Sequence, residues 1–289
     1  MKNYFKNKFQ QTKASFKAHP VLFVFVSLMW LSVVAIFIRA LFARSWEIAC
    51  ICLLSLFLFT IPHFVEEKLK LEIPLVFQIV IICFIYASEI LGEVSHFYTK
   101  FPGWDTILHT LNGFNCAAIG FSLTHILNNS EKAKIKLSPF FVALVGFCFS
   151  MTIGVVWEFF EFGMDCIFHL DMQKDFIVNT IGTVTLDPSN TQTPLVITGI
   201  TKTLIETSSG QTYVVNGGYL DIGIIDTMKD LIVNFIGAVV FCFLGYFYEK
   251  NESKKSIAKS FIIKKKDGES NPFEAMETKE EEVEIKQIQ

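Results

Sequence analysis

Charged residues are scarce in this sequence. Asp, Glu, Lys and Arg together make up 18% of it, against roughly a quarter in soluble domains. The shortfall falls in long uncharged runs, which excludes an ordinary soluble globule and points to membrane spans. A basic excess is also missing: with a net charge of −3, nothing argues for nucleic acid as a partner. Cysteine is present but unpatterned. Of Cys50, Cys52, Cys83, Cys116, Cys148, Cys166 and Cys242, all but Cys166 lie in apolar runs, and their spacing matches neither a disulfide framework nor a zinc motif. They read as small residues packing between helices. A convincing small-x-small cleavage site is lacking too, so the basic start is not expected to be a cleaved signal.

What the sequence has in abundance is apolar and aromatic residues, 52% and 15% respectively. They concentrate in six runs, 21–38, 48–65, 75–98, 105–127, 139–165 and 226–248. Each is long enough to cross roughly 30 Å of hydrocarbon at about 1.5 Å per residue. Pro20, Pro74 and Pro139 stand at or just before helix starts, where proline is tolerated. The expected fold is an all-α integral membrane protein of about six transmembrane helices, carrying a small extracytoplasmic β-hairpin insertion between spans 5 and 6.

Three regions follow. Residues 1–19 interleave five lysines with Phe5, Phe9 and Phe16, a basic amphipathic segment suited to an anionic membrane surface. Residues 20–249 form the membrane domain. Within it, 166–225 is an outer loop whose β-branched stretches (183–186, 195–200 and 203–215) are broken by Asp187-Pro188 and Ser208-Ser209-Gly210, the mark of hairpins. Residues 250–289 begin basic and end acidic and read as a disordered cytoplasmic tail. Lysines cluster at 1–19, 66–74, 128–138 and in the tail, whereas the opposite flanks hold only Arg39, Arg44, Lys100, Lys174 and Lys202. The positive-inside rule then places both termini in the cytoplasm of a cell-membrane protein.

Polar residues inside spans need a reason. Span 3 carries Glu89, Glu93 and His96, and span 4 carries Asp105, His109 and Asn112. Span 5 carries Glu158, Glu161 and Asp165, and span 6 carries Asp226, Asp230 and Asn234. Each set recurs at three- or four-residue spacing and so marks one helix face. With the orientation above, all four sets lie in the outer part of the membrane, within roughly 5 to 15 Å of its surface. Asp105 and Asp226 could be N-caps and Asp165 a helix-end marker. Glu89, His109, Glu158, Glu161, Asp230 and Asn234 lie too deep for capping, which leaves an interhelical polar network or a functional site. So many acids near two histidines cannot all stay charged. Either some are protonated, or a divalent cation (zinc, manganese or magnesium) neutralises them, with Asp105, His109, Glu158 and Asp230 as its candidate ligands. His63 and His125, at the other helix ends, read as interfacial. Trp46, Trp104 and Trp157 read as an aromatic belt, and Gly92, Gly113, Gly154 and Gly237 as points of close helix approach.

The stretches WDTILHTLNG (104–113), WEFFEFGMD (157–165) and DTMKDLIVNFIGA (226–238) resemble the YjdF-like membrane proteins of unknown function and, more distantly, the VanZ-like superfamily. The resemblance covers roughly residues 75–248. It rests on Asp105 and His109, on Glu158 and Glu161, and on Asp226, Asp230, Asn234 and Gly237. The VanZ-like likeness implies a role with lipid head groups or lipid-linked envelope precursors. The expected function is therefore to bind or act on such head groups. Asp105, His109, Glu158, Glu161 and Asp230 would form the reactive set. Glu89, Glu93, His96, Asp165, Asp226 and Asn234 would hold the substrate, and membrane lipids or a lipid-linked precursor would be the partner. An ion- or proton-coupled transporter is the alternative, disfavoured because the inner halves of spans 3 to 6 read as almost purely apolar. A non-catalytic envelope scaffold is the third class.

Overall fold

The computed structural model describes residues 20–130, 135–189, 191–251 and 256–266. The basic segment 1–19 and most of the expected tail lie outside the described residues. The chain divides into two compact units, one of residues 1–151 with 234–289, the other of residues 152–233.

Unit 1 begins with two antiparallel helices, α1 (Pro20–Phe42) and α2 (Trp46–Leu69), followed by strand β1 (Leu71–Glu72) and helix α3 (Leu75–Ile85). The chain then continues without a break into a π-helix (Tyr86–Val94), where Ser95 N–H reaches back five residues to the Ile90 carbonyl at 3.0 Å. A one-turn helix α4 (Phe97–Lys100) leads to the long α5 (Trp104–Asn128). Two further helices, α6 (Pro139–Phe168) and α7 (Ile224–Asn251), are each continuous and contribute residues to both units.

Five of these helices combine the length and apolarity of a span: 23–42, 46–69, 75–94, 139–168 and 224–251. The sixth expected span, α5, is a 25-residue helix but is not apolar enough to count by composition. The reason is visible along it, since His109, Asn115, Ser122, Thr124 and Asn128 are all buried. A helix packed inside protein has no need of an apolar surface; its polar groups instead need partners. Ser122 and Thr124 hydroxyls donate to the Ala118 and Gly120 carbonyls at 2.6 and 2.8 Å, and Asn128 brackets Leu137 through both its backbone groups. The expectation of almost purely apolar inner helix halves is thereby corrected for α5.

Unit 1 has one core of Phe77, Phe121, Phe241, Val142 and their neighbours, and a second of Val33, Cys52, Phe59 and Ile90. The first contains an unexpected contributor. Residues 256–266, assigned above to a disordered tail, form a short 3₁₀ turn (Ile257–Ser260) and strand β8 (Lys264–Lys265). Ala258, Ile262 and Ile263 are buried in that core. The apolar run Phe261–Ile263 between two charged runs was too short to signal burial by periodicity.

Unit 2 holds the insertion as six short strands in three antiparallel pairs. Strand β2 (Phe176–Val178) pairs with β7 (Tyr219–Asp221), and β3 (Ile181–Thr183) with β4 (Leu195–Ile197). Strand β5 (Lys202–Glu206) pairs with β6 (Thr212–Asn216) as a tight hairpin. The hairpin turns where the Ser-Ser-Gly signal lies, with Gly210 at φ +80°, a conformation glycine adopts without strain. The Asp187-Pro188 break is held by Asp187, whose carboxylate accepts from the backbone N–H groups of Ser189 and Thr191 at 3.0 and 2.9 Å. These bonds and the Ser189 and Thr191 hydroxyls stabilise the charged form and lower its pKa to about 2.

Candidate functional site

Helix α5 opens from Gly103, whose φ of +83° turns the chain into the helix. Asp105 is therefore inside the first turn and is not the cap residue. Its Oδ1 lies 3.5 Å from His109 Nε2, one turn on, with side chains 29% and 10% exposed respectively. Asn112 stands on the same face and donates through Nδ2 to Asn234 Oδ1 of α7 at 3.2 Å. Cys116, another turn along, lies with Sγ 3.5 Å from Asn112 Oδ1. Asp105, His109, Asn112 and Cys116 thus make a polar stripe that enters unit 1 from the start of α5.

Two glycines bring α5 and α7 together at this level. A Cβ at Gly113 would lie 2.0 Å from the Asn234 carbonyl oxygen, and one at Gly237 would lie 2.0 Å from the Thr110 carbonyl oxygen. Only glycine permits that backbone approach, which is what lets the short Asn112 and Asn234 amides meet. Ser150 of α6 donates to the Gly113 carbonyl at 2.8 Å, and Asn234 Nδ2 approaches Met151 Sδ at 3.7 Å.

Glu89 and Glu93 stand on the π-helix, a distortion that recurs at functional sites. Glu89 is half-buried and Glu93 exposed. His96 does not share their face: the helix ends at Val94, and His96 sits exposed in the left-handed region at φ 59°. The i, i+7 reading of His96 assumed a helix running through residue 98 and is corrected by this end. Tyr98, which the sequence reading passed over, takes its place. Its ring lies against Gly92, where a Cβ would fall 2.4 Å from it, and its hydroxyl is 3.3 Å from Ser88 Oγ. Burial pushes the Tyr98 phenol well above its ordinary range; the Ser88 bond opposes this, and the nearby Asp105, Glu93 and Glu89 carboxylates reinforce it. Trp104, expected only as a belt residue, donates its indole N–H to the Ala87 carbonyl at 3.2 Å and so ties the start of α5 to the π-helix.

In unit 2, Glu158 and Glu161 on α6 and Asp226 and Asp230 on α7 are all buried, Asp230 at 1% exposure. Glu161 accepts from the Trp157 indole at 2.8 Å, so this tryptophan too has a specific bond. Asp226 is not a helix cap. It accepts from Lys174 N–H at 2.9 Å, while Asp221 accepts from Ile225 N–H at the start of α7. Asp165 uses both oxygens on the backbone N–H groups of Met172 and Gln173, at 2.7 and 2.8 Å. Asp165 and Asp226 therefore fasten the insertion to the helices within this unit. A further acid, Asp175, is raised by burial and by the carboxylates of Asp171, Asp221 and Asp165.

At the other end of α5, His125 Nδ1 lies 2.6 Å from Glu249 Oε2 of α7, beside a polar cavity of about 280 Å³ lined by His125, Asn129, Tyr248 and Glu249. The interfacial reading of His125 did not include this carboxylate partner.

The chemistry within unit 1 is a carboxylate and an imidazole held together by one helix, followed by an amide pair held by two. Two ligands bound to one ion at about 2.1 Å in tetrahedral geometry stand roughly 3.4 Å apart, so the Asp105–His109 separation fits joint ligation of a cation. Equally, Asp105 can orient His109 and stabilise its protonated form. No curated protein and no solved structure matches the chain. Residues 24–251, most of the chain and all the helices that carry these side chains, match the family described as predicted membrane protein (DUF2238), and the chain belongs to that family.

Proposed function

We propose that this membrane protein binds the polar head group of a lipid or lipid-linked envelope precursor at the Asp105–His109 end of α5. His109 serves as base or cation ligand and Asp105 as its partner. Asn112 and Asn234 orient the bound group. Glu158, Glu161 and Asp230, buried in unit 2, are proposed as a set of ligands or proton carriers within that unit. Glu89 and Glu93, with Tyr98, contribute to holding the substrate.

The observation that carries this reading is the polar stripe on α5, a buried imidazole beside a partly exposed carboxylate, leading to an interhelical amide pair. Such groups are costly inside a membrane domain and usually mark function. The reading takes α5 as a sixth span, since its 25 residues cover roughly 37 Å. It takes both termini as cytoplasmic, on the lysine distribution, so the site opens at head-group depth toward the outer leaflet. The distant VanZ-like resemblance supports the same substrate class.

The test is retention of lipid by the purified chain in nanodiscs of phosphatidylethanolamine, phosphatidylglycerol and polyprenyl phosphate. Wild type should retain a phosphate-bearing lipid by native mass spectrometry, and His109→Ala or Asn234→Ala should reduce retention at least tenfold. Equal retention by all three contradicts the proposal.

A proton-coupled transporter is favoured by one specific observation. Polar residues continue along α5 from Asp105 to the His125–Glu249 pair. Proton uptake by proteoliposomes under a pH gradient separates the two readings.

A further inference from the structure

The segment after the last helix packs on unit 1. Ser256 accepts from Ala258 N–H to start the 3₁₀ turn. Ala258, Ile262 and Ile263 are buried. The Phe261 ring meets Phe77 of α3 at 5.8 Å and Phe114 of α5 at 5.0 Å. Ile263 N–H donates to the buried Ser122 hydroxyl at 2.9 Å. These contacts fix the backbone that carries the next three residues, Lys264, Lys265 and Lys266. Strand β8 pairs with β1 in the antiparallel register Leu71↔Lys265 and Glu72↔Lys264, and Lys266 N–H donates to the Lys70 carbonyl at 3.0 Å.

The level of this small sheet in the membrane follows from β1. That strand lies in the short connection between α2 and α3, and residues 46–69 and 75–94 each have the length and apolarity of a span. A connection of a few residues between two such helices stands where they leave the hydrocarbon, at the depth of the lipid head groups. Pairing with β1 holds β8 at the same depth. Lysines from two distant segments therefore meet there: Lys68 and Lys70 at the end of α2, and Lys264, Lys265 and Lys266 on and beside β8. All are exposed except Lys264, which is half-buried.

The neighbouring acids are fewer and have other partners. Glu66 accepts from Ile73 N–H and from Gln78 Nε2 at 2.8 and 2.9 Å, Glu67 stands 3.1 Å from His63 Nε2, and Glu72 is opposite Lys264 in the register. Exposed apolar side chains accompany the lysines: Phe64 on α2, Leu75 and Val76 on α3, and Ile257 on the re-entrant segment. Lysines beside apolar groups at head-group depth suit an anionic bilayer surface, with the apolar chains and lysine stems in the interface and the ammonium groups on phosphate. We infer that the β1–β8 sheet is a docking surface for anionic phospholipid. The fixed backbone reduces the ordering that binding requires. The acidic end of the chain, Glu280, Glu281, Glu282 and Glu284, is the rival occupant; the position of the sheet between two spans favours the bilayer. This surface is distinct from the Asp105–His109 pair, since His109 lies thirteen residues before Ser122, roughly 20 Å along α5.

The test is photo-crosslinking of the full chain in phosphatidylcholine vesicles doped with phosphatidylglycerol or phosphatidylcholine bearing a head-group diazirine, with the labelled peptides mapped by mass spectrometry. At low salt, peptides covering residues 64–76 and 256–266 should take the anionic probe at least threefold more than the zwitterionic one. High salt should remove most of that preference, as screening requires. Combining Lys68→Gln, Lys70→Gln, Lys265→Gln and Lys266→Gln should lower the preference at least threefold. Lys265→Gln with Lys266→Gln alone should give an intermediate ratio, which keeps the test open if the fourfold variant is unstable. No preference in the wild-type chain, the result that occupancy by the acidic end predicts, overturns the inference. So does a preference that persists in the folded lysine variants. His109→Ala should leave the ratio unchanged, so failure here is distinct from failure of lipid retention at the α5 site.

Discussion

At the scale of single residues, what matters is how few atoms separate a structural polar group from a functional one. Asp165 and Asp226 lie on the same helix faces as the candidate acids, yet their oxygens accept backbone N–H groups of the insertion. Asp105 faces an imidazole instead. Replacing Gly113 or Gly237 by alanine should destabilise the protein by about 1–3 kcal/mol, the usual cost of overpacking, because each new methyl meets a carbonyl oxygen that is part of a helix backbone. A lowered melting temperature in detergent checks this; an unchanged one means the helices are not in contact there. Asp187 gives a pH prediction. Its pKa is depressed to about 2, below an unfolded value of about 3.9, so its contribution is present above the unfolded value and fades as pH falls through about 2. Protection of the Ser189 and Thr191 amides, taken as exchange relative to the intrinsic rate at each pH, should fall over that window, and Asp187→Asn should remove that fall.

At the scale of elements, the helices were legible because an unbroken apolar run of about 20 residues matches the thickness of the hydrocarbon core. Boundaries moved by no more than four residues, and the end of span 3 has a specific cause. There the π-helix ends the run at Val94 and turns His96 outward, since no residue pattern distinguishes i→i+5 from i→i+4 bonding in advance. The hairpin 202–216 was legible from its β-branched run and Gly210. The re-entrant segment was not, because Phe261, Ile262 and Ile263 sit between lysines and owe their burial to Phe77, Phe114 and Ser122, distant in sequence. Truncating Ile262 to alanine should cost about 2–5 kcal/mol, as for other buried aliphatic side chains, whereas a true disordered tail would show no change. Thermal unfolding of the full chain decides between them.

At the scale of the whole molecule, membership of a membrane-protein family agrees with five helices of span-like apolarity, and the proposed orientation turns on whether α5 is the sixth. Its polarity hid it from a composition criterion and at the same time made it the helix that carries the candidate site. The four acid sets were visible as helical spacings. Which of them bind backbone, which bind each other, and the role of Tyr98 required coordinates, because hydrogen-bond partners from distant segments leave no local trace. The most direct test of the central claim, that Asp105 and His109 form a ligand site, is calorimetric titration of Zn²⁺ into the full chain in nanodiscs. The account predicts one saturable site, lost in both Asp105→Asn and His109→Ala and kept in Glu206→Gln on the exposed hairpin. Saturable binding that survives both substitutions would contradict it, and no binding at all would exclude the cation-ligand role and leave His109 only as a base.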